Sequence, residues 1–344
     1  MRHSLSALML ATAAIALLPA PDAQAQSSPP SPSAFPAQTQ FPKENKAAVA
    51  HWLSAARHLA EPDLVPEFNW RCLTSPLDRP TVFAIQHDGL IPATRVFDQL
   101  YSVGQNAVSA WALDTSDGII LIDALNSPDE ARDIIVPNLI KLGLDPKRIK
   151  YVVVTHGHGD HWGGAKYLQD TYGARVVMSG IDWDMVEKPG HGGGPFADLV
   201  PPRRDIAVKD GDVIALGQTK LHLYVTPGHT PGALSMIFPV TDNGTPHVAG
   251  LMGGTGGGQD SVTVHQQVAS LQRWEQVSAA AGVDALITNH PSHQSANEKL
   301  ALVRYAMPGD ANPFIYGKQR HRRFVEMLAA CSRVQLSRMG ETGE

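Results

Sequence analysis

The stretch Tyr151-Val152-Val153-Val154-Thr155-His156-Gly157-His158-Gly159-Asp160-His161 decides how this chain is read. Its β-branched first half predicts a buried strand, and the six residues after Thr155 carry four side chains able to bind metal. A strand delivers such a loop rigidly. Gly157 and Gly159 let the backbone turn so that alternate side chains converge. Neutral imidazoles and a carboxylate suit a borderline cation such as zinc. A chance loop of solvated histidines is the competing reading; desolvating so many polar groups without a cation would be costly.

One loop cannot fill a catalytic site, so further ligands are expected where other strands end. Thr226-Pro227-Gly228-His229-Thr230 follows an expected strand at Lys220 to Val225, and Asn289-His290-Pro291 follows Leu286-Ile287-Thr288. His293 is the alternative to His290. Working outward, the pattern predicts strands at 107–113, 118–123, 151–155, 175–178, 212–216, 220–226, 233–240, 247–251 and 284–288. Helices are expected at 43–61, from the Ser127-Pro128-Asp129-Glu130 capping box (with a kink at Pro137), and at 162–172, 264–281, 296–305 and 319–336. Residues 62–105 read as Pro-rich and irregular. Each half has strands and then helices, which implies two packed sheets with helices outside.

The ends read differently. Residues 1–25 hold an apolar run and Ala23-Gln24-Ala25, a secretory signal peptide pattern. Residues 26–42 carry Ser, Pro, Gln and Ala and no charge, a flexible tether. Residues 43–344 then form a single domain with an N-terminal helical and Pro-rich extension. Export implies a periplasmic or secreted protein with no membrane segment after cleavage. An oxidising compartment would let Cys72 and Cys331 pair, and two unpaired buried thiols is the equal alternative. Among 344 residues, 15 His stand beside only 2 Cys, so imidazole and carboxylate, rather than thiolate, would hold any metal. The formal net charge of −5 argues against nucleic acid as a partner.

His-x-His-x-Asp-His after an apolar strand, then Pro-Gly-His-Thr, then a late His-Pro, resembles the metallo-β-lactamase superfamily over about residues 98–340. The resemblance implies an α/β fold, the αβ/βα four-layer sandwich of two packed mixed sheets with helices outside. It implies two Zn2+: one held by His156, His158 and His229, the other by Asp160, His161 and His290. Many members carry a bridging Asp or a Cys between the last two motifs. Here Gly250 to Gly258 holds no ligand, which disfavours glyoxalase-type and lactone-hydrolase members. This pattern is closer to the third subclass of class B β-lactamases, as are Asn312-Pro313-Phe314 and the export signal. Water activated between two zinc ions would then attack a strained or activated carbonyl of a small molecule, a β-lactam or a related amide or ester. Asp160 would be the catalytic residue that orients the nucleophile as well as a ligand. Thr255, Ser292, His293 and His191 are candidate substrate contacts, His191 as part of a loop over the site. A same-fold hydrolase of another amide, ester or lactone, and a non-enzymatic zinc-binding protein, are the competing functions.

Overall fold

Apolar residues in the strand Gly118–Ile122 are buried at every position, because each face meets a different layer. Ile120 and Ile122 face the space between two sheets, whereas Ile119 and Leu121 face outward onto helices. The computed structural model describes residues 37–190, 194–258 and 260–344. The expected signal peptide, all of the tether before residue 37 and His191 lie outside these.

The first sheet has seven strands in chain order: β1 (Thr94–Arg95), β2 (Leu100–Ser102), β3 (Trp111–Thr115), β4 (Gly118–Ile122), β5 (Ile149–Val153), β6 (Arg175–Ser179) and β7 (Ile206–Val208). Pairing is antiparallel up to β4 and parallel from β4 to β7. The second sheet has five, β8 (Val213–Leu216), β9 (Thr219–Val225), β10 (Leu234–Asp242), β11 (Thr245–Leu251) and β12 (Ala285–Ile287), in the order β12-β11-β10-β9-β8. Only β11 and β12 run parallel there.

Side chains such as Trp111, Ile122 and Val153 from one sheet and Leu223, Met236 and Phe238 from the other fill the space between the sheets. Ile135, Leu139, Leu168 and Trp183 cover the outside of the first sheet. Leu271, Trp274, Val325 and Leu328, from the helices Ser261–Ala281 and Lys318–Arg338, cover the outside of the second. The result is the expected four-layer αβ/βα sandwich.

Several expectations need correction. Residues 62–85 are helical almost throughout, as short segments ending in the helix Arg79–Ile85. Pro62, Pro66, Pro76 and Pro80 each fall in the first turn of a segment, where the missing N–H costs nothing. The strand expected at 107–113 starts only at Trp111, because residues 103–110 fold back in a tight turn. Val103 N–H reaches the Ala110 carbonyl at 2.9 Å, and a Cβ on Gly104 would lie 2.3 Å from Ala110 N. Strands β1, β2 and β7 and the helix Gly180–Val186 lacked a long enough apolar pattern to be read. Pro137 is accommodated by a π-helical turn, Ala131–Ile135, ahead of Val136–Lys141. The helix expected at 162–172 is interrupted at Gly163-Gly164, leaving Gly159–Trp162 and Ala165–Tyr172.

The N-terminal helix Lys46–Ala60 packs on the C-terminal helix, with Ala56 and Ala60 buried and Val49, Trp52, Leu53 and Leu59 packed beside them. The question of the cysteines is answered by a disulfide: Cys72 and Cys331 are bonded, with Cα atoms 4.9 Å apart.

Candidate metal centre

The five predicted histidines and Asp160 meet at one edge of the sandwich, at the ends of β5, β9 and β12. The loop after β5 brings His156, His158, Asp160 and His161; the loop after β9 brings His229; the turn after β12 brings His290. His158 Nδ1 lies 3.0 Å from His229 Nε2, and His161 Nε2 lies 3.1 Å from His290 Nε2. Asp160 Oδ2 lies 3.3 Å from His161 Nε2 and 3.6 Å from His290 Nε2. Two triads, His156-His158-His229 and His156-Asp160-His161, keep their candidate ligand atoms within 4.8 Å of one another. His290 joins the second triad through His161 and Asp160.

Most of these rings are oriented from behind. His156 Nδ1 faces Thr155 Oγ1 at 3.1 Å, His161 Nδ1 faces Asp123 Oδ2 at 2.8 Å, and His290 Nδ1 donates to the Ala107 carbonyl at 2.8 Å. Each of the three therefore turns Nε2 inward. The buried Nε2 of His156 has no hydrogen-bond partner among the described residues. Buried polar atoms rarely stay unpaired, and inward-facing imidazole nitrogens backed by outer hydrogen bonds form a donor set that fits a cation.

Burial first, and then the neighbouring imidazoles, push His156 and His229 well below the ordinary histidine pKa. Burial likewise lowers His158 and His290. Neutral imidazole is the form that ligates metal. His161 is the exception. Burial opposes its charge most strongly, but Asp160 and Asp123 together raise it to about 10. Burial pulls Asp160 the other way, and the surrounding imidazoles, His161 foremost, overcome it and hold the carboxyl below the usual range. A cation at this point would take the place of the His161 proton.

Two carboxylates that the motifs do not announce hold the loops. Asp123, at φ +62°, accepts from Thr155 N–H at 2.7 Å and Thr155 Oγ1 at 2.9 Å, besides facing His161. It follows the apolar strand β4, so the strand-end argument used for the histidines would have found it. Buried Asp182 accepts from Gly157 N–H at 2.8 Å, Gly232 N–H at 2.7 Å and Thr230 Oγ1 at 2.7 Å. It ties the loop after β5 to the loop after β9. No sequence pattern marks it.

Gly250 to Gly258 is close backbone, as its composition suggests. A Cβ on Gly254 or Gly256 would come within 2.7 or 2.5 Å of the His229 side chain. The candidate substrate contacts are engaged with one another. Thr255 Oγ1 lies 2.9 Å from His293 Nδ1, and Gln86 Nε2 donates to Ser292 Oγ at 2.9 Å and faces His293 Nε2 at 3.2 Å. Of these three, only His293 lines the cleft. His293 is thus a neighbour of the centre, its ring centroid 4.9 Å from that of His290. His191 is outside the described residues, but Phe196, at the far end of the same loop, packs against Gly159.

Above the histidines opens a cleft of about 420 Å³. His229, His290 and His293 contribute to its floor, and Arg71, Arg79 and Phe83 of the N-terminal helical segment to its wall.

Residues 103–242 match the family model of the metallo-beta-lactamase superfamily. The chain spans about two fifths of the length of the curated relatives it matches. One is a hydroxyacylglutathione hydrolase of Rhodopseudomonas palustris, 30% identical over 115 residues, 33% of this chain and 37% of the relative. Another is an uncharacterized protein of Mycobacterium bovis, 37% identical over 97 residues, 26% of this chain and 42% of the relative. Among solved structures, BJP-1, a subclass B3 metallo-beta-lactamase of Bradyrhizobium japonicum, superposes with a TM-score of 0.60 at 27% identity, covering 71% of this chain and 94% of that one. FEZ-1, a metallo-beta-lactamase of Legionella gormanii, shares the fold with a TM-score of 0.64 at 21% identity, covering 74% and 98%.

Proposed function

We propose, from the premise that this chain is a metallo-β-lactamase superfamily hydrolase, that it is an exported dinuclear zinc enzyme opening the β-lactam ring. The observation that carries this reading is the ligand set. Five imidazoles and one carboxylate converge, and no further carboxylate or thiolate stands between Gly250 and Gly258. His156, His158 and His229 would hold one zinc, and Asp160, His161 and His290 the other. Bound zinc supplies an activated water at neutral pH and a Lewis acid for the scissile carbonyl.

The chain's own groups do the positioning. Asp160 turns Oδ2 towards His161 and His290, while its Oδ1 has no hydrogen-bond partner among the described residues and is left to orient the attacking water. Asp123 holds the His161 Nδ1 proton, and the Ala107 carbonyl holds that of His290, so neither ring can rotate away. Asp182 fixes the distance between the loops that carry His158 and His229.

Export to an oxidising compartment is part of the proposal. The Cys72–Cys331 disulfide supports it, as does the sequence of residues 1–25. The second reading, hydrolysis of another ester or amide, is favoured by the curated relatives named as hydroxyacylglutathione hydrolases. Metal analysis of the purified protein, paired with penicillin, cephalosporin, carbapenem and thioester hydrolysis with and without chelator, separates the two. Chelator-sensitive β-lactam turnover at about two zinc ions per chain is expected. Thioester turnover far above β-lactam turnover would replace the first reading by the second.

A further inference from the structure

Arg71 lies in the π-helical turn Asn69–Thr74, immediately before disulfide-bonded Cys72. It lines the same cleft as His229, His290 and His293, and its charge is close enough to help depress His293. No hydrogen bond or ion pair engages its half-buried guanidinium among the described residues. Desolvation lowers its pKa only to about 10, so it stays a cation at neutral pH. Most other arginines of the N- and C-terminal segments are engaged: Arg320 and Arg323 bind Asp63, and Arg338 donates to the Cys72 carbonyl while lying over Phe41.

Among the described residues the lining of the cleft includes no Asp or Glu, although the chain as a whole has a formal net charge of −5. Three arginines, Arg71, Arg79 and Arg338, face it instead. A partly desolvated guanidinium left without an anion forgoes charge-assisted hydrogen bonds that its planar fork makes best with a carboxylate. The Cys72–Cys331 bond fixes the turn that carries Arg71 to the C-terminal helix, so this cation is held in place before any ligand arrives.

We propose that Arg71 is a specificity-determining residue: it anchors a carboxylate of the substrate at the wall of the cleft while the bond to be cleaved lies over the histidines. The proposal rests on the hydrolase reading above and narrows its substrates to anionic small molecules.

The test compares zinc-loaded wild-type protein with Arg71→Met and Arg71→Lys, each checked for unchanged zinc content and thermal midpoint. Benzylpenicillin and its methyl ester differ only at the carboxylate, which the ester leaves uncharged and capped by a methyl group. The wild-type preference in kcat/KM for the acid over the ester should fall about 10- to 100-fold in Arg71→Met, chiefly through KM, and be partly restored in Arg71→Lys. Loss of both substrates in equal proportion would overturn the assignment. If wild-type protein hydrolyses neither, the β-lactamase reading fails, and phthalate binding measured by calorimetry decides the anchor alone. A dissociation constant raised at least tenfold in Arg71→Met would sustain it; equal constants would refute it.

Discussion

The floor of the cleft and its wall are held by different means. The floor is built from strand-end loops whose polar groups answer one another: Asp123 with Thr155 and His161, Asp182 with Gly157, Thr230 and Gly232. The wall is a run of short helical turns with little cooperative structure of its own. It is fastened from outside, by the Cys72–Cys331 bond and by buried Glu67, which meets Lys299 and Tyr316. The floor's histidines form a donor set that fits a cation, whereas the wall offers the Arg71 guanidinium, which has no partner among the described residues. Chemistry and recognition are thereby assigned to parts of the chain that can be perturbed separately.

The sharpest separation should come from the floor. His158→Ala removes one inward nitrogen and is expected to lower hydrolysis about a thousand-fold or more, since metal activation contributes several kcal/mol. Zinc content by atomic absorption should fall with it, and the denaturation midpoint only by the amount that chelator takes from wild type, because the loss of stability is that of the bound metal. A variant that kept both zinc and activity would remove His158 from the site.

The opposite pattern is expected in the wall. Replacing both Cys72 and Cys331 by Ser should cost about 2–5 kcal/mol of stability in urea unfolding. Zinc content should hardly change, because none of the floor's hydrogen bonds runs through the disulfide. Loss of zinc in the double variant would show that floor and wall are not separable.

Asp123→Asn tests how far the floor depends on its support. Metal affinity should weaken about 10- to 100-fold in a chelator competition, with the fold retained. An unchanged affinity would leave Asp123 with only the Thr155 bonds to explain its positive φ.

The smallest effect concerns the fastening of the wall. Burial first lowers Lys299 from the ordinary lysine value to about 8, against the pull of Glu67. Between pH 8 and pH 10 the unfolded chain therefore binds the proton more fully than the folded one, so this group makes stability rise with pH. The urea midpoint of zinc-loaded protein should climb over that window, and Lys299→Met should flatten the climb. A wild-type midpoint that fell as steeply as the variant's would contradict it.

Much of this was legible in the sequence. The β-branched run ahead of His156, Pro227-Gly228 ahead of His229 and Pro291 after His290 mark strand ends because only there do rigid backbone and a free turn coincide. The central strands β3, β4, β5, β9, β10 and β11 follow from their apolar runs. What escaped reading was short or carried by partners. β1 and β2 span two and three residues. The helical turns between Pro62 and Ile85 hide behind prolines that sit harmlessly in first turns. Asp182 has no neighbour in sequence that hints at its three bonds.

By itself the sequence marked the histidines and the aspartate that the fold brings together, because metal chemistry restricts residue types and a strand-loop pattern restricts their order. Three things were left to the tertiary structure. It paired Cys72 with Cys331 across 259 positions, aimed His161 and His290 by hydrogen bonds from distant loops, and brought Arg71 over the cleft. Each depends on which segments become neighbours when the two sheets close on their common core. That is a matter of packing between residues far apart in the chain, on which local pattern is silent.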